Sequence, residues 1–310
     1  MSHRRTLPAL LCGFACIAAT AVVAEPAIGQ FELKSLDSEP GSYEFQSQNA
    51  WSWGQPSRQV QMNGPDEFVA DENAVIQQRY AQELEMGLSD RLKMRVGLEL
   101  EKERIDDPQT LAELDDFEPL KLQELGTELI AILIPREGDG AALGIVTEFE
   151  LPLTGDESAA MLIGPVIEFQ SGPWFAAAMP AFVRSFGGDP GEGEEADDKW
   201  DFTYATQFSY RFSDTWTLAL EGYGTIDRIG NTGHRSEAAR IFGDFDQHRL
   251  GPIMYFAVPL GPSELRAAGE LSGDDEESES ASLSVGLGVL AGINGHTPGY
   301  TLKLSIEVDY

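Results

Sequence analysis

"WDFTYATQFSYRFSDTWTLALEGYGT", residues 200–225, decides the fold. Trp200, Phe202, Tyr204, Phe208, Tyr210 and Phe212 share one parity, and Asp201, Thr203, Gln207, Ser209 and Arg211 share the other. A helix would scatter both sets around its circumference; a strand puts them on opposite faces. Ser213 to Thr215 make a turn. Beyond it Trp216, Leu218 and Leu220 continue the apolar face, and Thr217 and Glu221 the polar one. The stretch therefore reads as a β-hairpin. Phe212 and Trp216 flank its turn, and aromatic rings at strand ends are what a membrane interface selects.

The same period of two runs along the chain. In "RLKMRVGLELE", residues 91–101, Leu92, Met94, Val96, Leu98 and Leu100 oppose Lys93, Arg95, Gly97, Glu99 and Glu101. "VIQQRYAQELEM" precedes it across a short "GLSD" link, which makes a second hairpin. Strands are predicted over 41–50, 75–86, 91–102, 119–134, 141–152, 160–170, 174–185, 200–212, 216–226, 248–259, 281–292 and 300–310. That even number suits an outer-membrane barrel. Several are long enough to cross a bilayer, which takes roughly nine to eleven tilted residues. A soluble periplasmic sandwich, the alternative, would bury an apolar face on every strand and could use shorter ones. Links such as "REGDG", "QSGP" and "SDT" are short, whereas 51–74, 103–118, 187–199 and 227–247 are long and polar. Short turns on one side and long loops on the other is the outer-membrane pattern, and it puts both termini on the periplasmic side. Residues 260–280 fit it badly, as a long insert on the short-turn side; "ELRAAGEL" is open as a further strand. The expected fold is all-β: a transmembrane antiparallel up-and-down β-barrel of about twelve strands over residues 41–310.

Composition narrows the function. The 310 residues carry 21 Lys+Arg against 52 Asp+Glu, a formal net charge of −31. Nucleic-acid binding relies on clustered Lys and Arg, so no nucleic-acid partner is expected. Residues 1–24 read as a secretory signal: Arg4 and Arg5, an apolar run from Leu7 to Val23, then small residues at Val22 and Ala24, with cleavage after Ala24. Both cysteines, Cys12 and Cys16, lie inside it, so the exported chain is expected to hold no disulfide or thiol. Residues 25–40 read as a periplasmic lead-in. No later stretch approaches the ~18 consecutive apolar residues of a membrane helix.

The polar faces supply the candidate site. Arg79, Glu83, Glu85, Lys93, Arg95, Glu99, Glu101, Glu124, Glu128, Glu148, Glu150, Glu168, Arg211, Glu221 and Lys303 are expected to point into the lumen. Charges face lipid only at high cost, which supports that register. Such an interior either passes cations and polar solutes, as charged rings do in pores, or is plugged by paired side chains. The final strand, "YTLKLSIEVDY", alternates apolar residues up to a terminal aromatic. Leu304, Ile306, Val308 and Tyr310 resemble the signal by which outer-membrane barrels are inserted, which implies the barrel-assembly machinery and outer-membrane lipid as partners. Two acidic runs, 187–198 and 273–280, are candidates for divalent cations, although the first lacks the spacing of a calcium loop. His234 and His248 are the candidates for a membrane-embedded hydrolase, but sequence alone orients no Ser–His pair. No nucleotide-binding motif is present, and no cofactor is expected. In "VGLGVLAG", residues 285–292, glycines relieve crowding inside a curved strand.

Export signal, aromatic hairpin and the closing "TLKLSIEVDY" together resemble Gram-negative outer-membrane barrels, nearest the outer-membrane transporter family associated with the meta-pathway of phenol degradation. The likeness is one of strands and turns over roughly residues 40–310. It implies passive passage of small organic solutes through the outer membrane and transfers no site residue. The alternative kept beside it is a closed structural or cation-binding barrel.

Overall fold

The computed structural model describes residues 35–58, 60–62, 68–70, 75–105, 108–153, 159–186, 200–226, 229, 246–260 and 281–310. The strands in chain order are β1 (Tyr43–Trp53), β2 (Val60–Met62), β3 (Phe68–Ala70), β4 (Ile76–Ser89), β5 (Leu92–Glu103), β6 (Lys121–Ile134) and β7 (Gly140–Pro152). They continue with β8 (Ala159–Ser171), β9 (Trp174–Phe186), β10 (Trp200–Arg211), β11 (Trp216–Ile226), β12 (Gln247–Pro259), β13 (Ser282–Gly292) and β14 (Tyr300–Asp309). All except β2 and β3 form one closed antiparallel barrel in chain order. The seam is β1 against β14, with Phe45 opposite Val308 and Asn49 opposite Leu304. Tyr310 donates its N–H to the Tyr43 carbonyl at 2.8 Å, which completes the ladder at the short-turn end. That is also the end of the Ser213–Thr215 turn, as the alternation predicts. Closure removes the free edges an open sheet would expose.

The first strand runs past 50, where the expected span stopped, because Trp51 and Trp53 extend the alternation and pair with Leu302 and Tyr300. Between β1 and β4, β2 and β3 form a small hairpin in what was read as a plain loop. Acidic runs 187–198 and 273–280, His234, the 261–280 part of the insert and the signal segment lie outside the described residues.

Side chains alternate out and in along each strand. The outer face is apolar: Leu125, Leu129, Ile163, Ile167, Leu218 and Leu220 are each more than a third exposed. Exposed apolar surface this continuous would drive a soluble protein to aggregate, whereas lipid solvates it. Aromatic contacts cluster near both rims. At the short-turn end Trp174 meets Tyr210 at 4.5 Å between centroids, and Trp216 meets Phe256 at 4.8 Å. Toward the long-loop end Phe182 meets Phe202 at 5.6 Å, Phe149 meets Phe186 at 5.8 Å and Trp53 stacks on Tyr300 at 6.1 Å. Two girdles around an apolar band are the signature of a transmembrane barrel.

Two glycines show how strands close on each other. A Cβ on Gly164 would lie 2.3 Å from the Pro180 carbonyl oxygen, so only glycine lets β8 approach β9 there. On the inner face a Cβ on Gly286 would lie 2.5 Å from the Tyr255 ring, which instead crosses the bare backbone. The expectation that glycines in 285–292 relieve crowding therefore has a concrete neighbour.

Candidate functional site

The candidate site is the barrel interior. Cross-strand register builds it. Glu85 pairs with Arg95, Arg95 with Glu128, and Glu128 with Glu148, so one hydrogen-bonded row carries a base between acids across β4 to β7. Arg95 lies 2.7 Å from Glu85, 3.2 Å from Glu83 and 3.8 Å from Glu128. Lys93 joins Glu85 at 2.6 Å. Nearer the long loops Arg79 binds Glu99 and reaches Glu101 at 3.4 Å. Gly97, in the next row, leaves the space: a Cβ there would lie 3.0 Å from Glu83 Cγ. Together β4 and β5 present a charged wall along much of the barrel's length.

A second charged group lies on β11 and β14. Lys303 donates to Glu221 at 2.8 Å and to the Tyr223 hydroxyl at 2.7 Å. Glu221 also accepts from Gln207 at 2.8 Å, from Tyr223 at 2.5 Å and from Tyr255. With so many donors the carboxylate is satisfied although shielded from water. A third group closes the short-turn end. Glu168 accepts from Arg136 at 3.0 Å and from the Leu36 backbone at 2.8 Å, and Arg136 also holds Asp37 at 2.9 Å. Residues expected in the lead-in thus enter the barrel mouth, where Leu36 is buried in the interior cluster.

The structure places the predicted lumen residues as follows. Arg79, Glu85, Lys93, Arg95, Glu101, Glu128, Glu148, Glu168, Glu221 and Lys303 are buried on the inner face. Glu83, Glu99, Glu124 and Glu150 are half-buried there, Glu124 beside a bulge opposite Glu99 and Leu100. Arg211 has inward parity but is exposed at the short-turn rim and joins none of these groups. Leu304, Ile306 and Val308 lie on the outer parity of β14, and Tyr310 follows at its end. His248 faces outward, its Nδ1 2.9 Å from the Tyr204 hydroxyl. Gly224 makes that contact possible, since a Cβ there would meet His248 at 2.4 Å.

Two features escaped the sequence reading. The first is an apolar wall. Ile130, Val146, Val166, Met179, Ala205 and Ile253 point inward on consecutive strands β6 to β10 and on β12, and all are at or near zero exposure. β9 is almost wholly apolar, so alternation gave no signal there; on β6, β7, β8 and β10 these residues share parity with Glu128, Glu148, Glu168 and Gln207, which marks the face but not its apolar stretch. The second is a set of uncharged polar groups at the short-turn end. Gln46 and Gln48 on β1 face Gln207 and Ser305 across a cavity of about 290 Å³. They share parity with Glu44 and were findable on that ground. Beside them Glu44, Glu307 and Asp309 bring carboxylate oxygens within 4.8 Å of one another.

No known family model matches this sequence, and no curated protein matches it significantly. Solved structures do. The chain is similar to the COG4313 outer membrane channel from Pseudomonas putida F1, at 12% identity and a TM-score of 0.53, over 91% of this chain and 100% of that one. The NanC porin matches at 6% identity and a TM-score of 0.47, over 86% and 98%. A FadL homologue from Pseudomonas aeruginosa matches at 8% identity and a TM-score of 0.37, over 94% and 99%. The first of these likenesses bears on fold: this chain has the closed, all-antiparallel barrel architecture of an outer-membrane channel.

Proposed function

We propose that this protein sits in the outer membrane of a Gram-negative cell and carries small solutes, cations ahead of anions, along the charged wall of its barrel. One observation carries the reading. Glu83, Glu85, Glu99, Glu101 and Glu128 line β4 to β6, paired with Arg79, Lys93 and Arg95. A barrel does not need such charges to hold together, because well-packed apolar residues of similar volume are often as stable as buried ion pairs or more so. Retained charge with an acidic excess is what a cation path uses. The finer family reading, with the outer-membrane transporters associated with the meta-pathway of phenol degradation, is supported by the aromatic hairpin at 200–225 and the strand at 300–310. In the same reading Leu304, Ile306, Val308 and Tyr310 form the insertion signal read by the barrel-assembly machinery.

The test is electrical. Purified protein in a planar bilayer should give small conductance steps, with a reversal potential toward the cation side under a KCl gradient. Glu99→Gln with Glu124→Gln should move that potential toward zero. Absence of both conductance and liposome swelling would refute the reading. A second reading, a closed barrel that binds cations or a partner, is favoured by the fully shielded apolar wall at Val146, Val166 and Ile253, and it predicts that null result. Hydrolysis is not proposed, since His248 lies on the outer face against Tyr204.

A further inference from the structure

Residues 35–42, "SLDSEPGS", lead into β1 but do not follow the rim of the barrel. A turn sets their direction. Ser42 donates to the Glu39 carbonyl at 3.2 Å across Pro40 and Gly41, and Gly41 has a φ of 90°. Proline in second place and a positive-φ glycine in third is the pattern of a type II turn. The segment is held first at β4 and the turn after it. Gly41 donates to the Gly87 carbonyl and Ser38 Oγ to the Ser89 carbonyl, each at 2.8 Å. Two residues before Ser38, Leu36 lies against β7 and β8, three and four strands round from β4. The segment therefore crosses part of the short-turn mouth as a strap.

The barrel is shaped to receive it. A Cβ on Gly144 of β7 would lie 2.5 Å from Leu36 Cδ2, and one on Gly87 would lie 1.9 Å from the Glu39 carbonyl oxygen. Leu36 is 3% exposed and packs in the same interior cluster as Ile130, Val146 and Val166, so the apolar wall is the strap's seat at this end. The Leu36 N–H goes to Glu168, and one Arg136 nitrogen meets both Asp37 carboxylate oxygens, at 3.1 and 2.9 Å. Arg136 also lies 5.7 Å from the Phe175 ring centroid, a cation–π contact that helps to place it. A cavity of about 290 Å³ remains beside the strap, lined by Ser35 and Asp37 as well as by Gln207, Thr217 and Lys303. The strap is thus one wall of what is left of the mouth.

Its hold is small. Leu36 is buried but Asp37 is exposed, and an ion pair with an exposed partner gains little against hydration and salt. Segments with so few buried contacts are the first to open locally.

We propose that residues 35–38 are a releasable strap that narrows the inner mouth when docked and widens it when released, with Leu36 as the anchor and Asp37, Arg136 and Glu168 as the latch. A segment that only led into β1 would need neither a leucine seated on a distant strand nor a glycine that makes room for it. The inference rests on the proposed solute path and adds its regulation.

The test compares three full-length barrels in planar bilayers, each checked by heat-modifiable migration: the native one, a released one and a locked one. Leu36→Ser with Asp37→Asn releases the strap. Leu36→Cys with Gly144→Cys locks it, because the two sites are close enough for a disulfide. The released barrel should give conductance steps at least twofold above the native ones. The oxidised lock should hold the lowest step without opening, and reduction should restore the openings. Equal conductance in released and locked barrels would overturn the strap and leave the solute path standing. A second measurement needs no current. The thiol of Leu36→Cys alone should react slowly with a small cationic reagent, and at least tenfold faster once Asp37→Asn is added. An unchanged rate would overturn the latch. A rate that rises as expected, with no current from any of the barrels, would sink the solute path and leave the strap in place.

Discussion

β4 with β5 and β8 with β9 are neighbouring pairs in one barrel, built on the same antiparallel ladder and turned to the same interior. Their inner faces are chemically opposite. The first presents Arg79, Glu83, Glu85, Lys93, Arg95 and Glu99; the second, apart from Glu168 near the short-turn end, presents Leu162, Val166, Met179 and Val183. The difference teaches that this interior is not a uniform aqueous bore. Apolar side chains at near-zero exposure exclude water from one side, while paired and excess charges hold a polar seam on the other. Whatever moves through such a barrel moves along the polar seam, and what it meets first is set by which charges are already engaged.

Three substitutions sharpen the contrast, from the largest effect to the smallest. Arg95→Met would take from a buried row the base that Glu83, Glu85 and Glu128 share, leaving Glu85 its pair with Lys93. Breaking a buried ion pair from one side costs about 3–5 kcal/mol, so the denaturant midpoint should fall sharply, and cation preference should rise as a base leaves the seam. A loss no larger than that of an exposed charge would mean the seam is fully hydrated. Met179→Ala, on the apolar wall, should cost about 2–5 kcal/mol by leaving a cavity, yet leave the reversal potential untouched; a shift in selectivity would show that the apolar wall borders the path. Tyr204→Phe removes the bond to His248 on the outer face. It should cost about 0.5–1.5 kcal/mol in unfolding measurements and change nothing electrical.

What the sequence revealed follows the same division. Where one parity is charged and the other apolar, as in 91–101, the strand, its face and its partners in the seam are all legible, because a slip of one residue would turn every charge to lipid. In "FAAAMPAFV" both parities are apolar, so the strand is legible but its inner face is not, and in "MLIGPVIEF" Glu168 alone marks the inner parity. Tyr255 illustrates the limit: it sits in "IMYFAV" with no charged neighbour of its parity to show that it turns inward to Glu221. Tyr223 was legible, since it shares parity with Glu221 two residues before it. Gln46 and Gln48 had the right parity, but a search for charge passes over carboxamides. Ion-pair partners such as Arg136 with Glu168 stayed hidden because a turn residue's reach depends on tertiary position.

The two walls can be compared directly by cysteine accessibility, since Cys12 and Cys16, in the segment read as a signal, are the chain's two cysteines. Glu99→Cys and Val146→Cys would be placed one on each wall and exposed, in the folded barrel, to a small cationic thiol reagent. Glu99 is half-buried in the seam and Val146 is fully shielded. Rapid labelling at 99 with none at 146 is the predicted result; equal labelling at both positions, or none at either, would contradict a barrel divided into a polar seam and a dry wall.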